Sequence, residues 1–327
     1  MKPFNAYSIA FGLLASMLIA GSANSAETKK IGITTIVEVP QILEAKQGLL
    51  DVLAERGFKE GANLNVEYHS ANGSMPTQLQ IAKRFAGANL NAVVGMTTPT
   101  AQAVAGAVKD APVVFVTVMD PVKAKLIAGF TPTGTNITGV SDAPPLAAQL
   151  KLIRELLPNL KRLGFVYNPG LDSSNAVLEW MREEGGKLGI EMVESSAPTT
   201  NEIIPATRRL VGKVDAVYIP GDTTVLAALE AVVKVGEETK LPIFTHETRG
   251  VERGALASVG LNYRELGRIA GVMVADILAG KKAGDISPVL AHQKLPKLSL
   301  VVNKKAAAAM GVTIPQSVLG RADKVIE

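Results

Sequence analysis

Ala92-Val93-Val94-Gly95-Met96-Thr97-Thr98-Pro99-Thr100-Ala101 carries a strand, a turn and the start of a helix in one short stretch. The run from Ala92 to Gly95 shows no polar alternation, as expected of a strand covered on both faces. Thr98 has the chemistry of an N-cap, with Pro99 at the first helical position and a helix expected from Pro99 to Val108. Such a unit sets a helix N-terminus, with its unpaired N–H groups, at the carboxyl edge of a parallel sheet.

The same unit recurs on both sides. Strands are expected at Ile31–Ile36, Asn63–Tyr68 and Val113–Val118, with helices at Gln41–Gly57 and Pro76–Ala86. Asp142-Ala143-Pro144-Pro145 breaks the pattern, and a second cycle follows. Its strands are Arg162–Tyr167, Ile190–Val193, Asp215–Ile219, Pro242–Thr245 and Ala255–Gly260, and its helices Leu146–Leu156, Ser174–Lys187, Asn201–Val211 and Thr223–Glu238. A helix from Tyr263 to Leu278 carries Leu266, Ile269, Ala270, Met273, Val274 and Ile277 at helical spacing, with Gly280 at its C-terminal stop. A last strand is expected at Leu298–Val302. The fold class is therefore α/β, with two doubly wound parallel-sheet lobes. One lobe is expected over 27–142 plus about 263–287, the other over 143–262 plus about 288–327. Crossings fall near Ser141–Pro145, near Leu261–Tyr263 and between Ala283 and Lys297.

The first 26 residues have the form of an export signal: Lys2 is positive, Ile9–Ala20 is apolar, and Gly21–Ala26 supplies small residues, with cleavage expected between Ala23 and Glu27. The apolar run is short for a bilayer of roughly 30 Å. The chain contains no cysteine, which excludes a lipid-anchored cysteine and a disulfide framework. A free, exported protein retained near the cell points to a Gram-negative periplasm. The formal charge of +4 is spread through the chain, giving no basic stripe for nucleic acid. No phosphate loop, dinucleotide fingerprint, His-Glu-x-x-His or Gly-x-Ser-x-Gly is present, and three scattered histidines offer little to a metal. No enzyme activity, cofactor or metal is expected.

The strand ends carry the candidate site. In the first lobe these are Thr35 and Glu38, then Thr97, Thr98 and Thr100, then Thr117 and Asp120; in the second, Asn168, Ser173 and Ser174, then Asp222 and Thr223, then Thr245 and Glu247. Hydroxyls and a helix N-terminus suit an anion, while carboxylates suit a cation. The combination recognises a zwitterion. Glu247 opens no obvious helix and is the first choice for an ammonium partner. Asp222 serves equally as a helix cap, and Asp120 as the lock of the turn before Pro121. His246 is expected to flank the site, and His69 and His292 to lie on the surface or in strands.

Several stretches taken together resemble a known family. Ile31-Gly32-Ile33, Ile36-Val37-Glu38 with Pro40, Asp120-Pro121, Asn136-Ile137-Thr138-Gly139-Val140, Gly280 with Pro288-Val289, Val302-Asn303, Ala306, Met310-Gly311-Val312 and Ile314-Pro315 are similar, in order and spacing, to ABC-transporter substrate-binding proteins of the tryptophan- and tyrosine-binding type. The resemblance covers the mature chain. It implies a type I periplasmic-binding-protein fold with three interlobe crossings and a small ligand, often an aromatic amino acid, delivered to an ABC permease of the inner membrane. It also implies that Thr98 and Thr100 meet the ligand carboxylate, Thr117 orients the head group, Glu247 or Asp222 holds the ammonium, and Asn168, Ser173 and Ser174 contribute from the second lobe. Lacking the lipoprotein cysteine, the chain resembles the free branch of the family, acting as a monomer. Phe115, Tyr167, Tyr218 and Phe244 lie near strand ends, where stacking on an aromatic ligand is expected. A sensor module for a membrane receptor and an α/β enzyme are the competing readings.

Overall fold

The computed structural model describes residues 28–327; the export signal expected over 1–26 lies outside them. Five strands open the chain: β1 (Lys29–Thr35), β2 (Leu64–Ser70), β3 (Ala92–Met96), β4 (Val113–Val116) and β5 (Ile137–Ser141). Five more follow as β6 (Arg162–Tyr167), β7 (Glu191–Ser196), β8 (Ala216–Ile219), β9 (Ile243–Thr245) and β10 (Ala257–Gly260), and β11 (Val289–Leu290), β12 (Ser299–Asn303) and β13 (Lys324–Ile326) close it. They form two sheets, ordered β11-β5-β4-β3-β1-β2 and β13-β12-β10-β9-β8-β6-β7. Every neighbouring pair is parallel except β10 and β12, which run antiparallel.

Three segments pass between the lobes. β5 of the first sheet leads through 142–145 to α4 (Leu146–Leu156), β10 of the second leads through 261–262 to a helix at Tyr263–Leu278, and β11 leads back to β12. Because β11 pairs with β5 through Val289 and Val140, the chain stays in the first lobe past residue 288. The expected return at 288 is corrected accordingly.

β5 replaces what the sequence presents as a gap before the Asp142 break. Its central Gly139 explains both facts. A Cβ there would stand 2.1 Å from the Phe115 carbonyl oxygen, so the strand needs a residue of poor strand propensity to lie against β4.

The helices are α1 (Pro40–Glu55), α2 (Met75–Ala86), α3 (Thr98–Ala107), α4, α5 (Asp172–Lys187), α6 (Ile203–Leu210), α7 (Thr223–Leu226), α8 (Leu229–Thr239), α9 (Thr248–Glu252) and α10 (Tyr263–Leu278). The expected helix over 223–238 is thus two helices, α7 and α8. Glycines bring α10 against α1 at backbone distance: a Cβ on Gly48 would fall 1.9 Å from the Arg264 carbonyl oxygen, and one on Gly267 1.9 Å from that of Ala45. Ile42, Leu49 and Leu53 of α1 and Leu266, Ala270 and Val274 of α10 then share one buried core with β1 and β3. A second core under β6, β8 and β9 gathers Leu163, Phe165, Val217, Ile243 and Phe244. The carboxyl ends of both sheets are left at the gap between the lobes.

Candidate ligand cleft

At the rim of the first sheet, Met96 pairs with Val116, so the next residues, Thr97 and Thr117, come side by side. The Thr97 amide donates to Thr117 Oγ1 at 3.1 Å and to the Val116 carbonyl at 2.9 Å. Both threonines have positive φ, 81° for Thr97 and 54° for Thr117. For a β-branched residue this is a strained conformation, of order 1–3 kcal/mol each. It also moves the helix start: Thr97 is the N-cap of α3 and Thr98 its first residue, one position earlier than the sequence suggests. No side chain caps the helix, and the first intrahelical bond runs from the Ala101 amide to the Thr97 carbonyl. The Thr98 and Thr100 amides precede it, so this end keeps the donors that favour an anion.

Buried neighbours fix these hydroxyls. Thr97 Oγ1 lies 3.1 Å from Thr100 Oγ1, which donates to Gln78 Oε1 at 3.4 Å, and Gln78 Nε2 donates to Thr34 Oγ1 at 3.2 Å. The remaining first-lobe candidates have local roles. Thr35 Oγ1 donates to the Val37 carbonyl, exposed Glu38 accepts from Tyr68 Oη, and Asp120 Oδ1 accepts from the Val122 and Lys123 amides.

In the second lobe Asp222 is fully buried and saturated. Its Oδ1 accepts from the Thr224 and Val225 amides at 2.9 and 3.1 Å, and its Oδ2 from the Asn168 amide and Ser174 Oγ at 2.7 and 2.8 Å. Asn168 continues the network, donating from Nδ2 to Thr224 Oγ1 at 3.0 Å. Ser173 and Thr223 are exposed, in the first turns of α5 and α7. Thr245 is buried with Oγ1 unbonded, against Gly250, where a Cβ would approach that oxygen to 2.7 Å.

Contrary to the sequence expectation, Glu247 opens a helix: it is the N-cap residue of the short α9, a five-residue turn without an apolar period to mark it, yet it makes no side-chain cap bond. Its Oε2 instead accepts from Gln41 Nε2 of α1 at 2.5 Å, across the cleft. Beside it Arg249 pairs with Glu44, also of α1. A third interlobe link joins Lys123 to Glu179 of α5 at 2.6 Å. The four aromatic residues expected at the ligand are core residues instead. Phe115, Tyr218 and Phe244 are at most 1% exposed, Tyr218 Oη donates to Gln149 at 2.6 Å and Tyr167 Oη to Glu194 at 2.9 Å.

Two cavities flank the crossings. One, of about 120 Å³, is polar and lined by Gln41, Glu44, Glu247, Arg249, Asn262 and Tyr263. The other, of about 480 Å³, is largely apolar, with Met119, Phe130, Leu146, Trp180, Leu290 and His292 in its walls. His292 is a hinge residue, its Nδ1 lying 3.1 Å from the Ala143 carbonyl.

Residues 30–326 match the family model described as ABC transporter substrate binding protein. This chain belongs to that family. A curated relative, the tyrosine-binding protein of Clostridioides difficile strain R20291, is 34% identical over 287 residues, covering 88% of this chain and 82% of that protein. Among solved structures, an ABC domain from Streptococcus pneumoniae in complex with L-Trp aligns with TM-score 0.80 and 34% identity, over 92% of this chain and 100% of that one. The ligand-free, open form of a substrate-binding protein with adhesive properties from Clostridium difficile aligns with TM-score 0.80 and 33% identity, over 91% and 99%. A solute-binding protein from Bacillus halodurans with bound myo-inositol, 16% identical at TM-score 0.59 over 88% and 99%, shares the fold. Two α/β lobes with this topology make the type I periplasmic-binding-protein fold.

In this substrate-binding protein one polar residue of the cleft escapes sequence reasoning. Asp142, on the first crossing, enters the sequence only as a break. Its amide donates to the Val118 carbonyl at 3.3 Å, which holds it next to the Thr117 turn. Its Oδ2 lies 3.5 Å from Tyr263 Oη, while its Oδ1 is buried with no partner. Burial pushes the Asp142 carboxyl up to about 6. Burial, and then the carboxylates of Asp142, Glu247 and Glu44, hold the Tyr263 phenol far above its ordinary value. His246, whose Nδ1 is also buried and unbonded, is pushed down by burial against the opposing pull of Glu247.

Proposed function

We propose that this substrate-binding protein captures an amino acid in the interlobe cleft and presents it, in the periplasm, to an ABC permease, without chemical turnover. The observation that carries the reading is the strained pair Thr97 and Thr117 beside the uncapped start of α3. Strain of this kind persists where the surrounding structure holds a binding geometry in place, and the geometry here collects hydroxyls and amides suited to a carboxylate. Across the cleft, Glu247 carries a negative charge with no basic side chain in ion-pair contact among the described residues. Relatives named for tyrosine and L-Trp support an aromatic amino acid as ligand.

Binding works by closure. A ligand held first by the Thr97–Thr117 rim gains its second-lobe contacts only when the lobes meet, so it shifts the open–closed equilibrium by its differential affinity. The closed form is the one a permease reads. The test is a thermal-shift and calorimetric screen of protein stripped of endogenous ligand by unfolding and refolding. L-tyrosine or L-tryptophan at about a hundred times its Kd stabilises the fold by roughly 2.7 kcal/mol. Stabilisation by sugars alone, or by nothing, rejects the amino-acid reading.

A further inference from the structure

We propose that Asp142, on the first interlobe crossing, is the seat of the ligand's ammonium group, with its unbonded Oδ1 as the acceptor. This rests on the amino-acid reading above and adds the residue that selects the amine. A buried carboxylate oxygen without a partner is costly, because burial removes the water that would solvate it. Native interiors keep such an atom where something else completes it. Among the described residues no lysine, arginine or histidine is in ion-pair contact with Asp142. The one side-chain donor it has, Tyr263 Oη, sits at the 3.5 Å limit of a hydrogen bond and leaves Oδ1 free.

The surroundings select a cation. The group facing Asp142 is Tyr263 from α10, on which the carboxylates of Glu247 and Glu44 also act, and His292 touches the adjoining Ala143 carbonyl. Glu44 is paired with Arg249 and Glu247 is bonded only to a neutral amide, and no basic side chain is in ion-pair contact with either Asp142 or Glu247 among the described residues. Asp142 is also tied to Val118, one residue from Thr117. A donor on Oδ1 thus belongs to the same small molecule whose carboxylate meets the Thr97–Thr117 rim. A primary ammonium fits: it carries positive charge, and it has N–H donors to give to the unbonded Oδ1.

Neither Asp222 nor Glu247 fills this role as well. Asp222 has four donors already, and Glu247 has Gln41. Asp142 lies on the hinge itself, so an ammonium bound there is in place whether the lobes are open or closed.

The experiment compares L-tyrosine with 3-(4-hydroxyphenyl)propanoate, the same molecule without its amine, on the full mature protein and on Asp142→Asn. The wild type is expected to prefer L-tyrosine by about a hundredfold, and the variant to lose that preference by weakening L-tyrosine while leaving the deaminated acid within a fewfold. Equal weakening of both ligands, or retention of the preference, overturns the assignment and leaves the proposed function standing. A wild type that binds neither L-tyrosine nor L-tryptophan overturns both. A second measurement needs no variant. Calorimetry of wild type between about pH 4 and 7, in buffers of different ionisation enthalpy, is expected to show net proton release on binding L-tyrosine, because a carboxyl raised by burial must ionise to hold an ammonium. No proton release at any pH across the range in which a buried carboxyl titrates, from about 4 to 7, overturns the proposal.

Discussion

The amide of Thr97 donates to Thr117 Oγ1 at 3.1 Å while both residues hold positive φ, 81° and 54°. With ψ at 154°, Thr97 lies in a region that glycine alone occupies without strain. Thr97→Gly is therefore expected to raise the unfolding free energy of the unliganded protein by about 1 kcal/mol, read by urea titration. The same variant loses the hydroxyl held by Thr100, and its affinity for L-tyrosine is expected to fall about tenfold. A glycine variant less stable than the wild type would show that the backbone there is relaxed.

Asp142 couples stability to pH in the opposite sense to a paired carboxylate. Its folded value of about 6 lies above that of an ordinary aspartate, so the native state holds the extra proton between roughly pH 4 and 6. Stability of the unliganded protein falls as pH rises through that window, by at most about 3 kcal/mol. Asp142→Asn removes the titrating group. The variant should melt above the wild type at pH 7.5, with the advantage shrinking toward pH 4; a constant difference across that range would contradict the account.

Asp222 is expected to behave as a structural residue. Asn at this position can accept through one oxygen only, leaving some of its four donors without a partner. Asp222→Asn should cost about 2–4 kcal/mol in urea denaturation. Circular dichroism and calorimetry at low temperature separate that loss from any change in binding.

The contacts of Arg249 with Glu44 and of Lys123 with Glu179 join the lobes through exposed side chains. Exposed pairs are worth less than about 1 kcal/mol each and are screened by salt. Replacing Glu44 and Glu179 together by Gln should shift the unliganded protein toward the open form, seen as a larger radius of gyration in small-angle scattering. Ligand affinity should drop less than tenfold.

Gly48 of α1 tests the packing that holds the first lobe together. A methyl group 1.9 Å from the Arg264 carbonyl forces α1 and α10 apart. Gly48→Ala is expected to destabilise the protein by about 3 kcal/mol in urea denaturation.

The alternation of buried strands and amphipathic helices made the two lobes readable, and α10 forms over the residues its periodicity marks. What escaped depended on distant partners. β5 contains Gly139 because of a carbonyl on Phe115, and Asp142 acquires its meaning from Tyr263, 121 residues away. The aromatic residues failed for a different reason. Position near a strand end says nothing of which way a side chain points, and Phe115, Tyr218 and Phe244 are turned into the core by the pleat. Asp222 and Asp120 each have two roles open to them in the sequence, and their backbone donors favour the structural one in both.

The helix welded to α1 has a consequence for biogenesis. The lobe that begins the chain receives α10 and the edge strand β11 only after β6 to β10 of the second lobe have been synthesised, at residue 290 of 327. A nascent chain emerging amino end first cannot complete its first hydrophobic core until then. Such delayed closure leaves the amino-terminal lobe without its finished core for most of the time the chain is being made.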